Sequence, residues 1–204
     1  TNQQSPKRLQ LNWDTLLKTS GLHFLTGISA ILVWHTDNLI VNYFFGLEEV
    51  TRYSLTFRFV STGFIFFTAL TTVISPIYGL NFGDKKYFKI NYIYRRTMLF
   101  IPIISGLVWL GAINFGTEII EIWVGQEGNA GLNMILVLGG YGFCLSFIHS
   151  YLALIVAINL MKLIPLLGLI EAFINLLFSI IFAHYFGLIG VALGTLLGGL
   201  FSAI

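Results

Sequence analysis

Two ionisable side chains stand where an apolar sequence should carry none. In residues 34–58, WHTDNLIVNYFFGLEEVTRYSLTFR, Asp37 lies near the end of one apolar run and Arg58 near the start of the next. A charge in the hydrocarbon region of a bilayer costs about 2.5–3.5 kcal/mol on insertion scales and marks a functional-site candidate by default. Folding the hairpin at Leu47 and Glu48 brings residue 37 opposite residue 58, which proposes an intramembrane acid–base pair. The pair reads in two ways. It is either a structural ion pair, whose truncation would strand a buried charge, or part of a water-filled cavity that binds a solute or coupling ion. His35, Asn38 and Asn42 form a polar stripe beside Asp37. Helical spacing puts these three on one face.

A second constellation lies further on. Folding the chain near residue 160 brings His149 and Glu171 to one depth. A His–Glu pair can pass protons, because imidazole titrates near neutral pH. It can equally be a neutral hydrogen bond that joins two helices. Asn175 follows Glu171 by one turn. His23 and His184 have no matched acid. Gly190, Gly194 and Gly198 recur every four residues, a small-xxx-small pattern that lets another helix approach closely. It serves packing inside the bundle or contact with another subunit.

The elements that position these residues follow from composition. Hydrophobic residues make up 56% of the 204 and charged residues 10%, against about 25% charged in soluble domains. Such a chain belongs in a membrane. A spanning helix needs about 20 mostly apolar residues. Six such runs are present, near residues 16–45, 50–78, 97–114, 130–160, 163–185 and 188–204. They are continuous rather than alternating, which excludes barrel strands. The fold class is therefore all-α, a polytopic membrane bundle of about six transmembrane helices. The single cysteine, Cys144, excludes an internal disulfide. No nucleophile motif, phosphate loop or metal-binding spacing appears, so neither an enzyme nor a metal or organic cofactor is expected.

The connections set an orientation. Lys7, Arg8 and Lys18 precede or open the first run, Lys85, Lys86, Lys89, Arg95 and Arg96 fill the second connection, and Lys162 the fourth. The first connection carries Glu48 and Glu49 with Arg52, and the third Glu118, Glu121 and Glu127. Bases on alternate connections place that side, and both termini, in the cytoplasm. The basic stretch DKKYFKINYIYRR is interleaved with aromatics. It reads as a short helix lying on anionic membrane lipids rather than as a nucleic-acid patch. Residues 117–126 read as a second short interfacial helix on the outer side. Residues 1–13 read as a cytoplasmic linker and 14–204 as one six-helix lobe. The last helix is cut off, so a piece of a longer protein is expected.

The hairpin TDNLIVNYFFGLEEVTRYSLTFRF, with Asp37, Gly46, Val50, Tyr53 and Arg58, resembles the start of a six-helix half in polysaccharide (O-antigen) flippases of the multidrug/oligosaccharidyl-lipid/polysaccharide exporter superfamily. TTVISPIYG, EIIEIWVGQE and YFGLIGVALGTLLG continue that resemblance in order. It implies two six-helix lobes facing a central cavity, of which this chain resembles the second. The missing lobe would then be its partner. It implies a bacterial inner-membrane exporter of a polyprenyl-pyrophosphate-linked oligosaccharide, with Arg58 meeting the phosphate. Asp37, Asn38, Asn42 and His35 would line the same site, and H+ or Na+ would be the coupling ion. The rivals are a cation-coupled drug antiporter of the same fold, in which Asp37 binds the ion, and a non-transporting scaffold that packs through its glycines.

Overall fold

The computed structural model describes residues 13–160 and 162–203. Where no water can reach the backbone, each N–H and C=O must be satisfied within its own segment, and the helix does this. Accordingly the apolar runs wind into α1 (Trp13–Phe45), α2 (Leu47–Gly83), α3 (Tyr87–Val124), α4 (Leu132–Ala157), α5 (Leu163–Phe186) and α6 (Leu188–Ala203), with a 3₁₀ turn at Gln126–Gly128. There is no strand among the described residues. Among the described residues five helices are long and apolar enough to cross a membrane. α6 is equally apolar over 16 residues. The chain is a multi-pass membrane protein of all-α fold.

Backbone chemistry fixes the ends of these helices. α1 and α2 meet at Gly46, whose φ of 87° an L side chain rarely adopts. At the opposite end Lys85 takes φ 58°, and Lys86 Nζ stands 2.7 Å from Asp84 Oδ2 to close the α2–α3 turn. Arg52 pairs with Glu48 and Glu49 at 2.8 and 3.0 Å and donates through Nε to the Glu127 carbonyl at 3.3 Å. That contact ties the start of α2 to the 3₁₀ turn.

α4 is the central helix. In its most apolar window 61% of the residues are buried, against 17–29% in the other four spans, because α2, α3 and α6 all pack on it. Its glycines make this close packing feasible. A Cβ on Gly139 would lie 2.2 Å from Trp109 Cδ1, and one on Gly142 2.1 Å from Phe64 Cε2. Trp109 Nε1 donates to the Leu136 carbonyl at 3.1 Å and pins α3 to α4. α5 and α6 form a tight hairpin about Gly187. A Cβ on Gly190 would lie 2.0 Å from the Phe182 carbonyl oxygen, and one on Gly194 2.3 Å from Ser179 N. One on Gly198 would lie 3.1 Å from the Glu171 carbonyl oxygen. The glycine stripe thus faces the backbone of α5 inside the lobe.

The structure corrects the expected extents of two elements. α3 is one helix of 38 residues and α2 one of 37. The separate surface helices expected over 84–96 and 117–126 are largely the two ends of α3. Nothing in residues 87–124 stops a helix except Pro102, which sits well inside it. At 1.5 Å per residue α3 is about 57 Å long, against about 30 Å of hydrocarbon. Its basic-aromatic start and acidic finish are therefore extensions of a spanning helix. Arg96 lies over the rings of Tyr92 and Phe100, 5.3 and 5.8 Å from their centroids. The expected linker, residues 1–13, lies outside the described residues except for Trp13, the first described residue of α1.

Candidate functional site

The α1–α2 hairpin sets the register of the site. Tyr53 OH donates to Asp37 Oδ2 at 2.6 Å, and Ser54 Oγ donates to Asn38 Oδ1 at 3.0 Å. These pairs are symmetric about Phe45 and Gly46, not about Leu47 and Glu48. Asp37 therefore lies level with Tyr53, and Arg58 lies more than one turn beyond it. The expected Asp37–Arg58 ion pair does not form. Asp37 turns inward and is 3% exposed. Arg58 is exposed, and among the described residues it makes no ion pair. Both still line one cavity of about 410 Å³, with His35, Asn38, Ser54 and Ser61. Asn42 is exposed and lies outside that lining. Its carbonyl accepts from Gly46 N at 3.1 Å.

Inside the lobe Asp37 meets residues from two further helices, α5 and α6. Thr195 Oγ1 donates to the same Oδ2 at 2.5 Å. The Val191 carbonyl lies 3.2 Å from that hydroxyl as a second acceptor. Asn175 and Ser179 face the carboxylate from α5. Ser179 Oγ is 3.3 Å from Asn175 Oδ1 and 3.0 Å from the Val191 carbonyl. Asp37 Oδ1 and Asn175 Nδ2 are buried without a hydrogen-bond partner among the described residues. A buried polar atom left unsatisfied costs roughly 1–3 kcal/mol, and more when charged. A carboxylate with two hydroxyls on one oxygen and nothing on the other is suited to take a proton or a small monovalent cation there. Among the described residues no three His, Cys, Asp or Glu side chains gather as a metal-binding group.

The second constellation is also rearranged. Glu171 is 8% exposed. Tyr141 OH donates to its Oε1 at 3.1 Å and Ser202 Oγ to its Oε2 at 3.0 Å. His149 is not its partner. Tyr141, two turns nearer the start of α4, reaches Glu171 instead, so the register expected about residue 160 does not hold. His149 and Glu171 do share a cavity of about 160 Å³ with Thr26, Ser29 and Tyr151. His149 also borders the cleft between α2 and α4, with Ser61 and Thr68.

Sequence reading grouped Asp37, Asn38, Asn42, His35 and Arg58 in one site, of which all but Asn42 line the cavity, and it missed Thr195, Ser179, Tyr141 and Ser202. A signal for them existed. On α5 the polar residues Glu171, Asn175 and Ser179 recur every four positions. On α6 Thr195 and Ser202 are seven apart. Both spacings lay a polar stripe along one helical face.

No protein-family description matches the sequence, and no curated protein matches it. Solved structures do. One, described as the crystal structure of a MATE point mutant, superposes with a TM-score of 0.80 at 17% identity, over 98% of this chain and 45% of the other. Another is described as the outward-facing conformation of a multidrug resistance MATE family transporter of the MOP superfamily. It gives a TM-score of 0.79 at 16% identity, over 98% and 46%. The chain thus spans a little under half the length of the structures it resembles. Its fold is that of one lobe of a MATE-like transporter.

Proposed function

We propose that this chain is one lobe of an ion-coupled exporter that carries a polyprenyl-pyrophosphate-linked oligosaccharide from the cytoplasmic to the outer leaflet of a bacterial inner membrane. The observation that carries this reading is Arg58. Among the described residues it is an exposed guanidinium without an ion pair, in a cavity whose remaining polar groups, apart from inward-turned Asp37, are hydroxyls, an amide and an imidazole. A pyrophosphate cannot enter hydrocarbon unaided, because its charge has no compensation there. Guanidinium matches phosphate oxygens in two-pronged geometry. A cationic drug would be repelled at the same place. Asp37, held away from Arg58 by Tyr53 and Thr195, supplies the site for the coupling ion, H+ or Na+. A second lobe completes the cavity, and the two lobes rock to alternate access.

A cation-coupled drug antiporter is the competing reading. The unpartnered Asp37 Oδ1 favours it, and so does the likeness to a transporter described by multidrug resistance. The scaffold reading has less support, because the glycines on which it depends already pack against α5.

The test uses the full-length protein with both lobes. Arg58→Ala should abolish surface polysaccharide while membrane levels stay normal. Arg58→Lys should retain partial activity, since charge remains but the two-pronged geometry is lost. Normal surface polysaccharide in Arg58→Ala, together with lost resistance to toxic cations in Asp37→Asn, would replace the flippase reading with the antiporter one.

A further inference from the structure

Among the described residues Asp37 is one of two buried carboxylates, and the two are built alike. Asp37 is met by a tyrosine, Tyr53, and by an α6 hydroxyl, Thr195, whose other acceptor is the Val191 carbonyl four residues back. Glu171 is met by a tyrosine, Tyr141, and by an α6 hydroxyl, Ser202. The other acceptor of Ser202 is the Gly198 carbonyl at 3.2 Å, again four residues back. Thr195 and Ser202 are seven residues apart and so share one face of α6.

We propose that Glu171 is a second proton site of this lobe, loaded separately from Asp37 through the cavity beside His149 and read by α6 through Ser202. Its role in a transport cycle rests on the coupled-exporter reading above; the site itself does not.

The hydrogen bonds allow both charge states without moving a heavy atom. With Glu171 ionised, Ser202 donates its hydroxyl hydrogen to Oε2. With Glu171 protonated, the new carboxyl O–H donates to Ser202 Oγ, and the serine hydrogen turns to the Gly198 carbonyl. The proton arrives from water in the cavity of about 160 Å³, which has room for several molecules with polar partners. The titratable groups around Glu171 come from α4. They are Tyr141, Cys144, His149 and Tyr151. The α1 wall offers the hydroxyls of Thr26 and Ser29, and α6 offers Ser202. His149, bonded to none of these, is the base that faces the cavity water. Tyr151 OH donates to the Ser202 carbonyl and holds that end of α6 in place. Ser202 lies one turn from Gly198, where α6 touches the α5 backbone. Protonation therefore acts at a close contact between two helices. Along α5 the Glu171 and Asn175–Ser179 levels differ by four to eight residues, about 6–12 Å. The lobe then holds one proton at each of two depths.

The test is pH-difference infrared spectroscopy on the full-length protein in lipid, which reads the C=O stretch of protonated buried carboxyls. Two pH-sensitive bands are expected. Glu171→Gln should remove one and leave the other, while Asp37→Asn should do the reverse. Tyr141→Phe keeps the carboxyl but deletes its phenolic hydrogen bond, so it should move the Glu171 band to higher frequency. That variant serves where Glu171→Gln fails to fold. An unchanged spectrum in Glu171→Gln or Tyr141→Phe overturns the proposal, as does loss of both bands in Asp37→Asn. Transport separates the two claims. If the Glu171 band behaves as stated but export survives Asp37→Asn, the coupled-exporter reading fails and the proton site stands. If export needs Asp37 but Glu171→Gln changes no band, the exporter reading stands and this proposal fails.

Discussion

Asp37 and Arg58 show how far two charges of one hairpin can differ in surroundings. Arg58 meets an open cavity, and Asp37 meets Tyr53 and Thr195 in the interior. Tyr53 is 2% exposed, and its hydroxyl donates to the buried Asp37 carboxylate. A hydrogen bond to a charged acceptor contributes about 1.5–3 kcal/mol. Tyr53→Phe should therefore lower stability by roughly that amount, read from unfolding in detergent. In an Asp37→Asn background the same substitution should cost clearly less, since residues that share a bond do not act additively. Equal costs in both backgrounds would show that the bond does not hold the hairpin. Arg58→Ala removes no such bond and should leave stability within ~0.5 kcal/mol, while under the proposed function it should abolish export.

Among the elements, the α5–α6 hairpin and α3 respond to glycine replacement in opposite ways. At Gly194 a methyl would collide with the backbone of Ser179 at 2.3 Å, and backbone cannot rotate aside. Gly194→Ala should force the helices apart and cost ~1–3 kcal/mol or more, the usual range for overpacking. It should also loosen the Thr195–Asp37 bond one residue along. Gly111, inside α3, has open space within 4 Å of where a Cβ would stand. Gly111→Ala should be neutral or stabilising by up to about 1 kcal/mol, the helix-propensity difference. Thermal melts of the two variants side by side check the contrast, and a Gly194→Ala protein as stable as its parent would refute the close approach.

At the scale of the whole molecule, charge is segregated between the two ends of the bundle. Lys85, Lys86, Lys89, Arg95 and Arg96 cluster at the α2–α3 turn. Glu48 and Glu49 begin α2, and Glu121 and Glu127 lie where α3 ends, at the opposite end. By the positive-inside rule we propose that the basic end faces the cytoplasm. In a Cys144→Ser background, a cysteine placed at Lys86 should resist an impermeant thiol reagent in intact cells, and one placed at Glu127 should react. The reverse pattern would invert the orientation and with it the direction of export. The length of α2 and α3 sharpens this test, because both probe positions lie beyond the ~30 Å of hydrocarbon.

The class of the protein and its helices were legible in the residues alone. Runs such as 163–185 are apolar beyond the length of any barrel strand, and a backbone without water has few ways other than a helix to satisfy itself. The polar exceptions in those runs, Asp37, Arg58, Glu171 and Asn175, were legible for the same reason. Which of them meet was not. Successive residues on a helix turn by about 100°, so a small error in the turn at Gly46 moves a side chain to another face. Centring the hairpin on Phe45 and Gly46 pairs Asp37 with Tyr53 rather than Arg58. Thr195 is 158 positions from Asp37. Tyr141 and Ser202 are 30 and 31 from Glu171. Local spacing says nothing about such distances. They were decided by tertiary packing, by the contact of the glycines of α6 with α5 and the burial of α4 among its neighbours, which sets the rotation of each helix about its axis.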